Sequence, residues 1–322
     1  MSAMAKTSGS FRATLLTGWF LLCVSGIVFA RMKGVPNWAA FPSLAAFLIA
    51  YPFYLVPAFP KLREQFAGPP LLGFLTASAL LPYLACCTGA VTFQWASFAK
   101  LLALALTLGL WYRILPASPF SDIGFLVVVV AVKIGRYAAP IYPVPFKGVE
   151  IGILCDLALF NLAVMVLMLE RRVRETGYGF IPTRRDWRIG ALHYLYFLPV
   201  GAVLAYTFKI MPVLKPFWAL RLTGYFAVWL VTLALAEEFI FRGVLQQWIE
   251  DWTWSRPTAL LLTSLLFGGV HLWFRFFPNW QWVIVAGTLG WFCGRARNQA
   301  GSIRAAMVTH TMVIATWRAF FA

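Results

Sequence analysis

The sequence predicts an all-α fold, a polytopic bundle of about ten to eleven transmembrane helices. Three observations predict it. Of the 322 residues, 61% are hydrophobic, and the mean hydropathy is +0.77. Only 12% are charged, against about a quarter in ordinary soluble domains, so lipid rather than water must solvate most of the exterior. Apolar runs of the length needed to cross a hydrocarbon core of ~30 Å recur along the chain, separated by short polar breaks.

In order, the runs fall at 13–30, 38–59, 69–93, 98–115, 119–139 and 149–169, then at 189–208, 217–247, 257–276, 280–294 and 302–321. The first run exceeds the ~7–15 residues of a signal-peptide core, which predicts an uncleaved first span. Arg113, Lys133 and Arg136 interrupt the pair between 98 and 139. Pro42, Pro52, Pro57, Pro82 and Pro199 lie inside runs, a pattern tolerated where neighbouring helices satisfy freed carbonyls.

The clearest break is Glu170 to Arg188, which holds six arginines, two glycines and one proline. It reads as a cytoplasmic loop. It divides the chain into an N-terminal multi-span region of unassigned role (1–170), a basic loop (171–188) and a C-terminal five-span region (189–322). An inside N-terminus puts Arg295 and Arg297 on the same side as the loop, while Arg31 and Lys33 fall outside, against the rule.

The net charge of +16, from 27 Lys and Arg against 11 Asp and Glu, does not indicate nucleic acid. The basic residues lie between apolar runs, where they meet anionic lipid. Cys23, Cys86, Cys87, Cys155 and Cys293 sit inside apolar runs without a CxxC pair and read as small buried hydrophobes. Asp156 and Asn161 do not share a helical face well, and read as helix–helix hydrogen-bonding groups rather than a transport path.

Ionisable residues within a span cost about 2.5–3.5 kcal/mol each and are functional candidates for that reason. Glu237 and Glu238 stand together in ALAEEFIFRG after about twenty mostly apolar residues. Glu238 and Arg242 are four apart and can pair on one face, which turns Glu237 ~100° away and leaves it free. His271 and His310 lie in later spans, whereas His193 reads as interfacial with no partner visible. Counted from the cytoplasmic helix ends at ~1.5 Å per residue, Glu237, His271 and His310 come to depths of ~18, ~20 and ~12–16 Å. Three separate helices thus deliver one acid and two imidazoles to a similar level.

These residues resemble the CPBP family of CAAX prenyl endopeptidases, bacteriocin-processing enzymes and abortive-infection-like proteins. EExxxR matches Glu237, Glu238 and Arg242, FxxxH matches Phe267 and His271, and the last motif, HxxxN or HxxxD, matches at His310 but carries Ile314 in its final place. The resemblance covers about 189–322. It implies a glutamic intramembrane endopeptidase needing no cofactor, in a bacterial plasma membrane, with a chamber open to the cytoplasm and a membrane-associated peptide or protein as substrate. Glu237 and His271 would activate water, His310 would stabilise the oxyanion, and Glu238 and Arg242 would orient the first helix. Ile314 removes a hydrogen-bond donor, for which Thr311 or a backbone N–H would have to substitute. Two other readings stand beside it. Glu237, His271 and His310 could instead hold a catalytic zinc, although no HExxH is present. With Ile314 in place of the donor, the protein could also be a catalytically degenerate scaffold or immunity protein.

Overall fold

The computed structural model describes residues 3–135, 137, 140–174, 176–210 and 219–320. Arg136, Glu175 and the first two positions of the 217–247 run lie outside the described residues. Among the described residues every regular element is a helix. The protein is an integral membrane protein. By length and composition, five of its helices can cross a bilayer: Ser10–Lys33, Asn37–Ala58, Pro69–Cys86, Trp95–Ile114 and Arg184–Thr207. The chain forms two compact units, Met1–Val173 and Arg174–Ala322.

The first unit comprises α1 (Ala3–Lys33), α2 (Asn37–Leu55), α3 (Pro69–Cys86), α4 (Trp95–Ile114), α5 (Pro119–Ile134) and α6 (Ile153–Leu169). Short helical turns from Val56 to Phe66 link α2 to α3. Helices α2, α3, α4 and α5 pack on α6, whose residues from Ala158 to Leu169 are all buried. That total burial explains why α6 is apolar around its whole circumference rather than amphipathic. The start of α5 is capped by Ser118, whose side chain and that of Ser121 bond each other's backbone N–H. Next to this cap, buried Asp122 accepts both arms of Arg171 at 2.7 Å and the Tyr112 hydroxyl at 2.8 Å. Glu170 pairs with Arg113. The predicted basic loop therefore begins tied to the first unit.

Asp156 bridges α6 to Lys133 of α5 at 2.6 Å, an interhelical contact of the expected kind. Asn161 departs from expectation: it is buried and neither its Nδ2 nor its Oδ1 has a hydrogen-bond partner.

The second unit comprises α7 (Arg184–Thr207), a long helix α8 (219–253), α9 (Arg256–Gly269), α10 (Trp280–Ala300) and α11 (Ile303–Phe320). Helix α7 starts five residues before the predicted 189, because Thr183 and Asp186 form a capping box. Arg184 to Arg188 are thus helical, not loop. Helix α9 ends at Gly269 instead of running to 276, and a single 3-10 turn, Val270–Trp273, follows. Helix α10 packs against α9, α7 and α11, and α11 packs against α7 and α8. Close approach of α9 and α10 needs glycine: a Cβ at Gly268 would lie 2.5 Å from the Val283 carbonyl oxygen. Small residues at such crossings let backbones meet in a membrane. His193 is buried, with its ring Nδ1 3.0 Å from the Ile189 carbonyl. That carbonyl is a partner the sequence did not reveal.

Candidate active site

Glu237 and Glu238 sit in a four-residue α-helical stretch, Leu235–Glu238, between two π-helical stretches of α8, Leu230–Ala234 and Phe239–Leu245. A π turn holds about one extra residue and appears often at functional sites. The two adjacent carboxylates point to different surroundings, as helical winding requires. Glu238 is fully buried, while the Glu237 side chain keeps 26% of its surface exposed.

Glu238 is the hub of the buried network. Its Oε1 accepts from His310 Nδ1 at 2.7 Å, and its Oε2 lies 3.2 Å from Arg242 Nε. Arg242, also fully buried, donates through Nη2 to the Gly290 carbonyl of α10 at 3.0 Å. Its guanidinium lies 4.4 Å from the centroid of the Phe267 ring, a cation–π contact strengthened by exclusion of water. Gly290 is glycine for a local reason: a Cβ there would come 3.0 Å from Arg242 Nη2 and 3.3 Å from the Phe267 ring.

This arrangement fixes both imidazoles. His310 spends Nδ1 on Glu238, so Nε2 faces Glu237, with 3.7 Å between Nε2 and Oε2. His271, in the 3-10 turn, has Nδ1 2.9 Å from the Phe267 carbonyl oxygen. A carbonyl can only accept, so His271 carries its proton on Nδ1 and leaves Nε2 as a bare acceptor. The FxxxH spacing thus serves twice, because the Phe267 carbonyl orients His271 and the Phe267 ring packs between the two imidazoles. Ring centroids are 5.1 Å apart for Phe267 and His271, and 5.6 Å for Phe267 and His310.

Glu237, His271 and His310 line one cavity of about 480 Å³. All of the sequence-predicted catalytic residues therefore share a single hollow, and Phe267 forms part of its wall. Glu238 and Arg242 lie behind the wall rather than in it. The rest of the lining is largely apolar, with Phe197, Leu233, Trp229, Trp282 and Ile314 among it. Ile314 presents carbon where the motif carries an amide or a carboxyl. Thr311 does not replace the donor: it is fully buried and absent from the lining. Hydroxyls that do line the cavity belong to Tyr194 and Thr316, 2.8 Å apart. Near the edge, Arg275 lies over Phe274 and Trp282, and Arg318 over Trp229.

Sequence reading missed several of these neighbours. Tyr194 and Thr316 lie 122 positions apart and carry no local signature. Cys293 was read as a buried hydrophobe, and it is fully buried. Yet its sulfur, a Glu238 oxygen and a His310 nitrogen all lie within 4.8 Å of one another. A cation among these three would face the Arg242 guanidinium beside Glu238, which opposes it electrostatically.

Residues 217–316 match the family model described as Rce1-like, type II CAAX prenyl endopeptidase Rce1-like. Through this segment the chain is similar to the Rce1-like family. The match begins just ahead of α8 and ends two residues beyond Ile314, so it takes in Glu237, Glu238, Arg242, Phe267, His271 and His310. The description of that model is of an endopeptidase, and a protease family implies a peptide or protein substrate in a membrane. No curated protein and no solved structure matches the chain.

Proposed function

We propose that the second unit is a glutamic intramembrane endopeptidase acting on membrane-associated peptides or proteins. One observation carries this reading: an acid and two imidazoles from three separate helical segments line a single, mostly apolar cavity, and each imidazole has its Nδ1 held by a partner. Glu237 removes a proton from water while the bare Nε2 of His271 holds that water by its other hydrogen. Attack on the scissile carbonyl places negative charge on its oxygen. His310 Nε2, when protonated, donates to that oxygen, and the buried Glu238 carboxylate offsets the imidazolium charge through Nδ1. Collapse of the tetrahedral species returns the proton from Glu237 to the leaving amine. The decisive experiment compares new protein termini in membranes of cells expressing the wild type and Glu237→Ala. Termini present only with the wild type are expected, and identical sets from both would leave a scaffold or immunity role.

A zinc-dependent version is the second reading, favoured by one distance. The 3.7 Å between Glu237 and His310 is close to the ~3.3 Å separating two ligands on a tetrahedral zinc ion. Metal content of the purified protein, with activity before and after chelation, separates the two. The metal-independent enzyme contains no stoichiometric metal and keeps its rate.

The expected cytoplasmic mouth conflicts with the expected cytoplasmic basic loop. Cavity-lining residues come from the C-terminal part of α11, the first turns of α10 and the segment 267–275. Arg174, Arg256, Arg297 and Arg304 gather at the opposite end, joined by ion pairs with Asp251, Glu250 and Asp186. The positive-inside rule makes that arginine-rich end cytoplasmic. On this reading the cavity faces the other side of the membrane. A membrane-impermeant maleimide should therefore label Arg275→Cys in intact cells, and Arg188→Cys only after lysis.

A further inference from the structure

A second cavity, of about 250 Å³, lies at the arginine-rich end of the second unit. It is lined by Arg174, Thr176, Gln247, Glu250, Arg256, Arg297, Asn298 and Gly301, and none of these lines the catalytic cavity. The left-handed turn at Gly301, φ 69°, closes the chain between α10 and α11 beside it.

Three guanidiniums face one carboxylate across this small space. Glu250 is shared by Arg256 at 2.9 Å and Arg297 at 3.8 Å, and Arg174 reaches outward to Asp251 at 2.8 Å. Even with Asp251 included, the three arginines outnumber the two carboxylates among the described residues. Arg297 is largely enclosed, its side chain only 17% exposed, and the Asn298 side chain holds one of its arms at 3.0 Å. An enclosed guanidinium with two more arginines at the rim of its cavity favours a further anion beside it. Two neutral groups point the same way. Thr176 and Gln247 are each 3% exposed. The Thr176 hydroxyl has no hydrogen-bond partner, and no hydrogen bond to the Gln247 side chain occurs among the described residues. Buried donors of this kind are rare unless something binds them.

We propose that this cavity binds a phosphate-bearing anion. Guanidinium forks match the oxygens of a phosphate in pairs, and the Thr176 hydroxyl and Gln247 amide supply further donors. Two sources share that chemistry, the phosphodiester of an anionic phospholipid and free inorganic phosphate. A basic recess between helices at the cytoplasmic surface is where lipid headgroups are held. This site is independent of the protease reading and stands or falls without it.

The test uses full-length protein in nanodiscs of phosphatidylcholine, with phosphatidylglycerol or inorganic phosphate added, and follows thermal unfolding and binding. Arg174→Gln/Arg256→Gln is the main variant, because both side chains are more than half exposed and the fold tolerates their loss. Arg184→Gln/Arg188→Gln removes the same charge at the same end but outside the cavity. The wild type should rise in melting temperature by about 4 °C with saturating anion, and the main variant should bind about tenfold more weakly. The outside variant should behave as wild type. A response to phosphatidylglycerol alone assigns the site to lipid, and an equal response to phosphate assigns it to the free ion. No shift with either ligand, or equal weakening in both variants, would overturn the proposal.

Discussion

Arg242 has its whole guanidinium inside the bundle, and its partners explain why arginine occupies the position. One arm reaches the Gly290 carbonyl, Nε faces Glu238, and the plane lies against Phe267. A lysine offers a point charge without the plane. Removing one partner of a buried pair strands the other at a cost of about 3–5 kcal/mol. Arg242→Ala should therefore lower the thermal stability of the purified protein strongly. Glu238→Gln keeps the volume but removes the charge that supports a protonated His310. It should reduce kcat with little change in KM, since a hydrogen-bonded carboxylate no longer supports the imidazole from behind. Ile314 gives a gain-of-function prediction. If the proposed chemistry holds, Ile314→Asn adds a donor one turn beyond His310 and should raise kcat on the order of tenfold to a hundredfold. At this scale the EExxxR and FxxxH spacings were informative because each joins residues i and i+4 within one continuous helical segment. Cys293 and Tyr194 were invisible, since their partners come from other helices and no local pattern records them.

Among the elements, α9 and α10 show how residue size sets helix spacing. Gly268 faces the Val283 carbonyl so closely that any side chain must push the helices apart, and overpacking of this kind costs about 1–3 kcal/mol. Gly268→Val should lower the unfolding temperature in detergent and also reduce activity, because α9 carries Phe267. All eleven predicted runs correspond to helices, since twenty apolar residues in lipid leave the backbone few alternatives. Their ends were harder to read. The Thr183 and Asp186 capping box extended α7 into the arginine segment, and the paired glycines Gly268 and Gly269 stopped α9 before the apolar run ended. Apolar character continued through the 3-10 turn that holds His271, so hydropathy alone could not mark the change.

For the whole molecule, the arginine segment is where the two compact units meet in sequence. Glu170 and Arg171 bond within the first unit, Arg174 within the second. Arg172 between them is exposed and has a left-handed backbone, φ 54°. Limited trypsin should cut there first, yielding two membrane-bound fragments. With the arginine-rich end cytoplasmic, that cut should occur in inside-out vesicles and be absent from right-side-out ones. Composition announced a membrane body plainly, through 12% charged residues. It could not show which way the cavity faces, because that depends on where helix ends and side chains lie in three dimensions.

The two π-helical stretches around the glutamates imply a reading-frame sensitivity in the helix that carries them. Each accommodates a surplus position relative to an ordinary helix. Deleting Thr232, whose side chain bonds only the Val228 carbonyl, would let the π-helical stretch return to standard winding while preserving everything after it. Inserting an alanine at the same place has no such outlet and would swing all upstream residues by about 100°. Shortening by one should thus be tolerated far better than lengthening by one, an asymmetry an ordinary span would not show.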